Sequence, residues 1–322
     1  MTRRFQYAFA AFACMLAAAS AFAQGYPARP IRMLVPFSAG GNVDIVARVV
    51  GAKLAADLRQ PFVVENKAGA GGTIGVATLA KSPGDGYTLM MMNQALAYSA
   101  SLYSNLPYDT LRDLAPIAYV GATPNALIVT NSLPVKTVQE FLAYARANPG
   151  RIAYGSAGIG GATHLGVELL QSLTGTKLTH VPYKGAGPAL TDLISGQIQA
   201  MLVPMPAVMP YLKGGKLRAL ATSGASRSPA LPGLPTIAEA GVPGYEYTTW
   251  FGMFGPGTLP KPLVARLNTA VNKALADAEL GEKLAQQGLE VRAMASGQFS
   301  EIVRADVTRW GKIIRELGVR AE

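Results

Sequence analysis

Short, mostly apolar runs alternate with amphipathic stretches along most of the chain. Apolar runs bounded by glycine, proline or polar residues are typical of buried strands, whereas apolar residues that recur every three or four positions are typical of helices. The predicted strands are residues 31–35, 62–65, 87–92, 126–130, 152–154, 178–181, 200–203, 219–222 and 250–254. Their alternation with helical patterns predicts an α/β fold.

Two of the helical patterns are regular enough to define a buried face. In the first helix this face consists of Val46, Val49, Val50, Leu54 and Leu58. In the last helix it consists of Phe299, Ile302, Val303, Val307, Trp310, Ile313, Ile314 and Leu317. We interpret both stripes as core faces rather than as grooves for a partner.

The composition is that of a globular protein with little metal or cysteine chemistry. Of its 322 residues 50% are hydrophobic and 15% are charged, which is enough for a sizeable core, and the length suggests two domains. Cys14 is the only cysteine, so the rest of the chain cannot form a disulfide, a cysteine-based metal site or a cysteine nucleophile. Because His164 and His180 are the only histidines, we expect neither a metal nor another cofactor.

The N-terminus is typical of a secretory signal. Two arginines precede an uncharged stretch over residues 5–23, which ends in the small-x-small sequence Ala-Phe-Ala. We predict a signal peptide over residues 1–23, cleavage before Gln24 and a periplasmic mature chain. A membrane anchor is the alternative, although the alanine content makes the stretch weakly hydrophobic. A lipid anchor on Cys14 and twin-arginine export match their motifs poorly.

The charge distribution bears on the choice of partner. The formal net charge is +10, and residues 126–244 contain 9 basic and 4 acidic residues. Nucleic-acid-binding proteins usually concentrate lysine and arginine in a stripe with interleaved aromatic residues, and the sequence has no such run. We therefore expect no nucleic-acid partner and a mild attraction for small anions.

Two segments run from a strand through a glycine-rich turn into a helix, namely residues 35–44 and 154–165. The free N–H groups at such a helix start carry the positive end of the helix dipole and can hold a carboxylate or a phosphate. Plain structural roles are the alternatives, with Asn42 capping the first helix and His164 hydrogen-bonded within the second. Two such helix starts in different parts of the chain suggest a cleft.

Residues 154–158 also resemble the nucleophile elbow of serine hydrolases. However, Tyr154 stands where the G-x-S-x-G motif needs its first glycine. The acid and the base would have to be Glu168 and His180, which follow Ser156 closely. A serine hydrolase is therefore the weaker alternative to a binding protein.

The glycine cluster at residues 69–75 follows a predicted strand, as a dinucleotide-binding turn would. Its spacing is G-x-G-x-x-x-G, and the next strand ends near Asn93 without the acidic residue that holds a ribose. The sequence also lacks a G-x-x-x-x-G-K-[ST] phosphate loop. We therefore expect no nucleotide-dependent activity.

An ordered set of short motifs resembles one known family over essentially the whole chain after residue 24. The motifs are Tyr26-Pro27, Pro30-Ile31-Arg32, Val35-Pro36-Phe37, Gly40-Gly41 with Asp44, Asn66 with Gly69-Ala70-Gly71-Gly72, Pro83 with Asp85-Gly86-Tyr87-Thr88-Leu89, Ser156-Ala157-Gly158, His164-Leu165 with Glu168, His180-Val181-Pro182-Tyr183-Lys184-Gly185, Arg227-Ser228-Pro229, Pro235-Thr236 with Glu239-Ala240-Gly241, and Trp250-Phe251-Gly252. On these motifs the chain resembles the extracytoplasmic solute receptors of the tripartite tricarboxylate transporter system, the Bug family.

The resemblance implies a two-lobed periplasmic binding protein, or Venus flytrap, with two interlobe crossovers. In this family the C-terminal segment completes the first lobe. Lobe 1 would therefore comprise residues 24–124 and 245–322, and lobe 2 would comprise residues 125–244. Two clusters of proline and glycine, at residues 121–124 and 229–244, fall where the crossovers are expected.

The resemblance also implies a function. The family holds a ligand carboxylate mainly with backbone groups and ordered waters, without an arginine clamp. We therefore expect a non-enzymatic receptor that binds a small carboxylate and delivers it to membrane transporter subunits. The residues expected on the lobe 1 side of the cleft are Phe37, Ser38, Gly40, Asn42, Asp44 and Asn93. Those expected on the lobe 2 side are Ser156, Gly158, Thr163, His164 and Tyr183.

Departures from the family pattern bear on the ligand. Met91-Met92 stands where relatives often have small residues. The resemblance therefore does not define the cleft wall at Asn93 and Gln94. Many relatives carry a polar or acidic residue near Val203-Pro204, and its absence favours a plain or aromatic carboxylate over an amino acid. A sensor that presents the closed form to a signalling partner is the alternative to transport.

Overall fold

The computed structural model describes residues 25–321, so the predicted signal peptide and Cys14 lie outside the described residues. The strands are β1 (Ile31–Val35), β2 (Phe62–Asn66), β3 (Thr88–Asn93), β4 (Leu114–Thr130), β5 (Ala153–Ser156), β6 (Thr179–Pro182), β7 (Ala200–Pro204), β8 (Leu217–Thr222), β9 (Thr248–Pro256) and β10 (Glu290–Val291). The helices are α1 (Asn42–Leu58), α2 (Thr73–Ala80), α3 (Ala95–Leu102), α4 (Val138–Ala147), α5 (Ala162–Thr174), α6 (Ala186–Ser195), α7 (Met205–Lys213), α8 (Lys261–Leu275), α9 (Ala278–Ala285) and α10 (Ser296–Leu317). A 3₁₀ turn covers Ala70–Gly72.

Strand β4 links two halves of the sheet. Its residues 114–124 pair antiparallel with β9, and its residues 125–130 pair antiparallel with β7 and β8. The strand order is β2-β1-β3-β9-β4 in the first half and β4-β7-β5-β6 in the second. Within the halves, β1 is parallel to β2 and β3, and β5 is parallel to β6 and β7. The α/β class predicted from the hydrophobic pattern is confirmed.

The prediction of a strand limited to residues 126–130 was wrong, because β4 begins at Leu114. The strand passes through Pro116, Gly121 and Pro124 without a turn. Its pairing with β9 shifts register beside Pro116 and ends at Pro124, so the missing N–H groups fall where the ladder is irregular. A methyl group at Gly121 would lie 2.5 Å from the carbonyl oxygen of Glu290, so glycine permits the close approach of β10.

Both predicted apolar stripes face the core. In α1, Val46, Val50 and Leu54 are buried. The buried residues of α10 include Phe299, Val303, Trp310 and Ile314, and this helix packs on α3 and β4. The last helix therefore returns to the first half of the sheet. None of the helices within residues 25–321 has both the length and the apolar character that crossing a membrane requires.

The chain leaves the second half through an irregular segment over residues 223–247, between β8 and β9. Ser223 and Tyr247 mark its ends, and the Tyr247 N–H donates a 2.7 Å hydrogen bond to the Ser223 carbonyl. Asn125 of β4 lies beside them, since its N–H donates to Ser223 Oγ at 2.7 Å. The two passages of the chain between the halves thus lie against each other.

Candidate functional site

Four loops lie at the boundary between the two halves, and each follows the carboxyl end of a parallel strand. Loop 36–41 follows β1, loop 67–72 follows β2, loop 157–161 follows β5 and loop 183–185 follows β6. Because the carboxyl ends of parallel strands meet at one edge of a sheet, each half presents two loops side by side. We call the place where these loops meet the four-loop site.

The loops of the two halves touch through their main chains. The Ser38 N–H donates a hydrogen bond to the Lys184 carbonyl, with an N···O distance of 3.2 Å. A methyl group at Gly158 would lie 3.3 Å from Gly71 Cα, and one at Gly71 would lie 2.9 Å from the carbonyl oxygen of Ile159. Glycine at these positions therefore lets the two halves approach to backbone contact.

Loop 36–41 is held by the buried carboxylate of Asp44. Asp44 Oδ2 accepts hydrogen bonds from the Gly40 N–H and from Arg48 Nε, both at 3.0 Å, and Oδ1 accepts from Asn66 Nδ2 at 2.9 Å. The same Asn66 amide donates to the Phe37 carbonyl at 3.0 Å. Burial raises the pKa of Asp44, but the hydrogen bonds from Arg48, Gly40 and Asn66 outweigh it and leave the pKa below its usual value. Both carboxylate oxygens of Asp44 are thus hydrogen-bonded to groups that hold loop 36–41.

Helix α1 begins directly after this loop without a side-chain cap. Gly41 is the N-cap residue, and Asn42 is the first helical residue rather than the cap. Asn42, Val43 and Asp44 are all buried, so the first N–H groups of the helix are shielded from water. Buried helix-start amides need an acceptor, and together with the helix dipole they favour an anion.

Loop 157–161 is held by three side chains that each accept one loop amide. Thr163 Oγ1 accepts from the Ala157 N–H at 2.7 Å, Ser156 Oγ from the Gly158 N–H at 3.2 Å, and His164 Nδ1 from the Gly160 N–H at 3.0 Å. Helix α5 then starts after its N-cap glycine without a side-chain cap. Within residues 25–321 nothing accepts a hydrogen bond from the N–H of Thr163, the second helical residue.

The two histidines stack behind this loop. The rings of His164 and His180 lie 3.9 Å apart, and the ring of Tyr154 stacks with both, at 4.9 Å from His180 and 6.3 Å from His164. Burial, and then the neighbouring His180, lower the pKa of His164 to about 3, and burial lowers the pKa of His180 to about 4. Both imidazoles are therefore neutral near pH 7. Since the Gly160 N–H donates to His164 Nδ1, the His164 proton lies on Nε2.

Ser156 and His180 form the contact that a hydrolase would require, with 2.6 Å between Oγ and Nε2. However, Ser156 is completely buried, with 0% exposure, and it is also hydrogen-bonded to the main chain of Gly158. Glu168 Oε1 accepts from Tyr154 Oη at 2.5 Å and from Gln171 Nε2 at 2.8 Å. The Glu168 carboxylate is therefore hydrogen-bonded to Tyr154 and Gln171 rather than to His180. The contact between Ser156 and His180 fixes loop 157–161.

Three further expected residues contact groups close to them in the fold. The ring of Phe37 faces Gly72, where a methyl group would lie 3.2 Å from Cζ. Asn93 Oδ1 accepts from the Ala95 N–H at 3.1 Å and so orients the start of α3. Tyr183 Oη donates to Asp192 at 2.6 Å. Burial and this contact raise the pKa of the tyrosine to about 12.

One side-chain polar atom of the site has no partner among residues 25–321. Ser38 Oγ is buried and makes no hydrogen bond within the described part of the chain. It lies beside Gly185, where a methyl group would overlap it. A buried hydroxyl without a partner is costly, so Ser38 Oγ would be stabilised by a hydrogen bond to a polar group that enters the site.

The electrostatics of the site come mainly from the main chain. Lys67 and Lys184 are the only charged residues in the four loops, and the side chain of Lys184 is exposed. No group of three or more histidine, cysteine, aspartate or glutamate side chains within residues 25–321 is arranged to hold a metal ion. Backbone amides and helix dipoles are therefore the groups that the site presents to an anion.

Sequence reasoning missed loop 67–72 as part of the site, and in loop 183–185 it expected only Tyr183. The first was considered only as an incomplete dinucleotide fingerprint, yet it lies against loop 157–161. The glycines themselves were the usable signal in the sequence. Gly71, Gly72 and Gly185 all adopt positive φ, a conformation that favours glycine. Their partners across the site were not visible in the sequence.

The matches to known proteins agree with this geometry. Residues 46–319 match the family model of the tripartite tricarboxylate transporter family receptor. The chain belongs to this family. It is 40% identical to BugT of Bordetella pertussis over 306 residues, which cover 94% of this chain and 94% of BugT. The family resemblance predicted from the motifs is confirmed.

Solved structures of the receptor family share the fold. An R. palustris protein solved with adipate has 38% identity and a TM-score of 0.89, over 92% of this chain and 99% of that one. MatC from Rhodopseudomonas palustris, solved with bound malate, has 32% identity and a TM-score of 0.85, over 90% of this chain and 100% of that one. The periplasmic binding protein fold, with its two lobes, is therefore confirmed for this receptor.

Proposed function

We propose that this protein binds a small carboxylate in the four-loop site and delivers it to membrane transporter subunits of the tripartite tricarboxylate type. The observation that carries the proposal is the pair of buried, uncapped helix starts at α1 and α5, one in each half. The unpartnered Ser38 hydroxyl lies in the same site and would donate to a carboxylate oxygen. Adipate and malate in the two related structures support a carboxylate ligand.

Six of the eleven expected site residues receive a role in this proposal. The backbone amides at Asn42 and Thr163 contact the ligand, together with Ser38 Oγ. Asp44, Ser156 and His164 position the two loops without touching the carboxylate. The expected set remains Phe37, Ser38, Gly40, Asn42, Asp44, Asn93, Ser156, Gly158, Thr163, His164 and Tyr183.

Opening and closing of the site would follow the proposed lobe boundaries. Lobe 1 comprises residues 24–124 and 245–322, and lobe 2 comprises residues 125–244. The change of pairing partner along β4, from β9 to β7 and β8, supports a boundary near residue 125. Bending of β4 and of the 223–247 segment would separate the loops and admit the ligand.

The ligand class is a plain or aromatic carboxylate, in the periplasm. Asp44, the acidic side chain nearest the start of α1, is fully hydrogen-bonded within its own half, so it has no free oxygen for an amino group. The predicted signal peptide supports export. A sensor for a signalling partner would use the same site. A hydrolase is disfavoured because Glu168 is hydrogen-bonded to Tyr154 and Gln171 rather than to His180.

Thermal unfolding of the purified mature chain tests the proposal. Adipate, malate, citrate, benzoate and glutamate are added separately, with adipamide as the matched uncharged control. A ligand at a hundredfold excess over its Kd should stabilise the folded state by about 2.7 kcal/mol. Saturable stabilisation by an acid but not by adipamide is expected. If none of the acids binds at millimolar concentration, the proposal is wrong.

A further inference from the structure

Four buried polar groups from distant parts of the chain form a continuous series of hydrogen bonds behind the four-loop site. Gln94 Nε2 bonds to Tyr98 Oη, Tyr98 Oη lies 3.0 Å from Tyr247 Oη, and Tyr247 Oη lies 2.7 Å from the carbonyl oxygen of Ala162. Tyr98 and Tyr247 are 0% and 1% exposed. The series is therefore shielded from water along its length.

The direction of every bond in the series is determined. A carbonyl oxygen can only accept, so Tyr247 donates its single phenolic proton to Ala162. Tyr247 must then accept from Tyr98, and Tyr98 accepts from the amide of Gln94. Burial raises the pKa of both phenols well above the usual value, so each keeps its proton. The three hydrogen bonds that join the four groups can therefore run in one direction only.

The series ends on a peptide group that belongs to the ligand site. The Ala162 carbonyl and the Thr163 N–H are the two ends of the same peptide bond, and Thr163 is the second residue of the uncapped helix α5. A hydrogen bond to a peptide carbonyl polarises the group and strengthens its N–H as a donor. Tyr247 thus acts on the amide that faces the proposed carboxylate.

The same series joins the two halves of the protein. Gln94 and Tyr98 belong to the start of α3 in the first half, Ala162 begins α5 in the second, and Tyr247 lies in the segment that passes between them. Both tyrosine rings pack edge-on against Trp310, with centroid distances of 4.8 and 5.4 Å. The position of the α5 start is therefore tied to the first half.

We propose that Tyr247, supported by Tyr98, is a positioning residue for ligand binding, which orients and polarises the Ala162–Thr163 peptide without touching the ligand. This inference rests on the proposed carboxylate function. Removal of the Tyr247 hydroxyl should weaken binding, whereas removal of a comparable hydroxyl elsewhere on α5 should not.

Tyr245 provides the matched control. It is buried like Tyr247, lies in the same segment, and donates to the carbonyl of Gly166 in the same helix at 2.8 Å. The Gly166 carbonyl lies one turn further along α5, and its peptide N–H belongs to Val167 inside the helix. Tyr245→Phe therefore removes a similar bond from the same helix without affecting the helix start.

Calorimetric titration with adipate, or with malate if adipate does not bind, measures the effect on affinity. Tyr247→Phe should weaken binding about five- to tenfold, Tyr98→Phe about two- to threefold, and Tyr245→Phe less than about twofold. Thermal midpoints of Tyr247→Phe and Tyr245→Phe should fall by similar amounts, and near-UV circular dichroism verifies folding. In the Tyr247→Phe background, Tyr98→Phe should have no further effect on affinity.

The Thr163 amide resonance gives a readout that does not depend on any ligand. In the free protein, its proton should move upfield in Tyr247→Phe and stay unchanged in Tyr245→Phe. If the wild type binds no acid but the resonance moves as expected, the proposed function fails and the peptide-polarising role stands. Equal affinity losses in Tyr247→Phe and Tyr245→Phe, wild-type affinity in Tyr247→Phe, or an unmoved resonance would each overturn the inference.

Discussion

Ser38 and Lys184 join the two halves of the protein through one main-chain hydrogen bond of 3.2 Å. Neither side chain takes part in this bond. Gly185, with φ 151, follows Lys184, and a methyl group there would lie 2.7 Å from Ser38 N. The contact therefore depends on the backbone and on the absence of a Cβ at position 185.

The first prediction concerns closure of the site. Gly185→Ala should weaken carboxylate binding by at least about tenfold, because the methyl group holds the two loops apart and the backbone conformation is strained. Lys184→Ala should bind normally, since only the Lys184 carbonyl contacts Ser38 and its side chain is exposed. Calorimetry of both variants measures this. A Lys184→Ala protein that folds but has lost binding would point to an ionic clamp instead.

The second prediction concerns the Asp44 carboxylate. Asp44→Asn should lower the free energy of unfolding by about 1–3 kcal/mol, because Arg48 and Gly40 lose a charged acceptor. Urea unfolding near neutral pH measures the loss. Asp85→Asn, which breaks an exposed ion pair with Arg29, is the control and should cost less than about 0.5 kcal/mol.

The pH dependence of Asp44 follows from the direction of its pKa shift. The folded-state pKa lies below the usual value, so the stabilisation is fully present above about pH 4 and is lost as the pH falls through the folded-state pKa. The difference in stability between wild type and Asp44→Asn should therefore shrink on acidification. A constant difference would mean that Asp44 acts through packing alone.

The third prediction concerns the stacked histidines. An unfolded histidine titrates near about pH 6.5, whereas the pKa values of His164 and His180 in the folded protein are about 3 and about 4. Between these limits the unfolded state binds more protons, so stability falls as the pH falls, by up to about 1.4 kcal/mol per pH unit for each histidine. His180→Gln should reduce the dependence of stability on pH by the contribution of one histidine. Urea unfolding at about pH 7, 6 and 5 measures it, and a His180 that titrates near pH 6.5 in the folded protein by NMR would contradict it.

The fourth prediction concerns export. The signal-like sequence over residues 1–23 should be removed, because it combines an arginine pair, an uncharged stretch and a small-x-small cleavage sequence. Mass spectrometry of the periplasmic fraction should find a chain that starts at or near Gln24. A chain that keeps its N-terminus and sediments with membranes would contradict the prediction.

Local patterns in the sequence were sufficient for most of the secondary structure. The bounds of β1 were predicted at residues 31–35 and are observed there, because a mostly apolar run ends at a proline-containing turn. The same reasoning found only the last part of β4. Pro116, Gly121 and Pro124 normally interrupt a strand, and only pairing with β9 and its register shifts accommodates them.

The candidate site was visible in part. The strand, glycine turn and helix patterns at residues 35–44 and 154–165 indicated two helix starts that can hold an anion, and both helices begin there, at Asn42 and Ala162. Side-chain partners were beyond such patterns. The close spacing of Ser156, Glu168 and His180 argued against a hydrolase. It did not show that the fold pairs Ser156 with His180 and Glu168 with Tyr154.

The sequence by itself therefore determined the class of fold, the family, the apolar faces of the helices and the two glycine-rich turns that lead into helices. Tertiary structure alone decided that Gly71 faces Gly158, that His164 stacks on His180, and that Tyr247 donates to the carbonyl of Ala162. The physical reason is that periodicity and turn chemistry report which face of an element is buried, and with what backbone conformation it begins. They carry no information about which distant element covers that face, because the order of strands in the sheet and the packing of the two halves decide it.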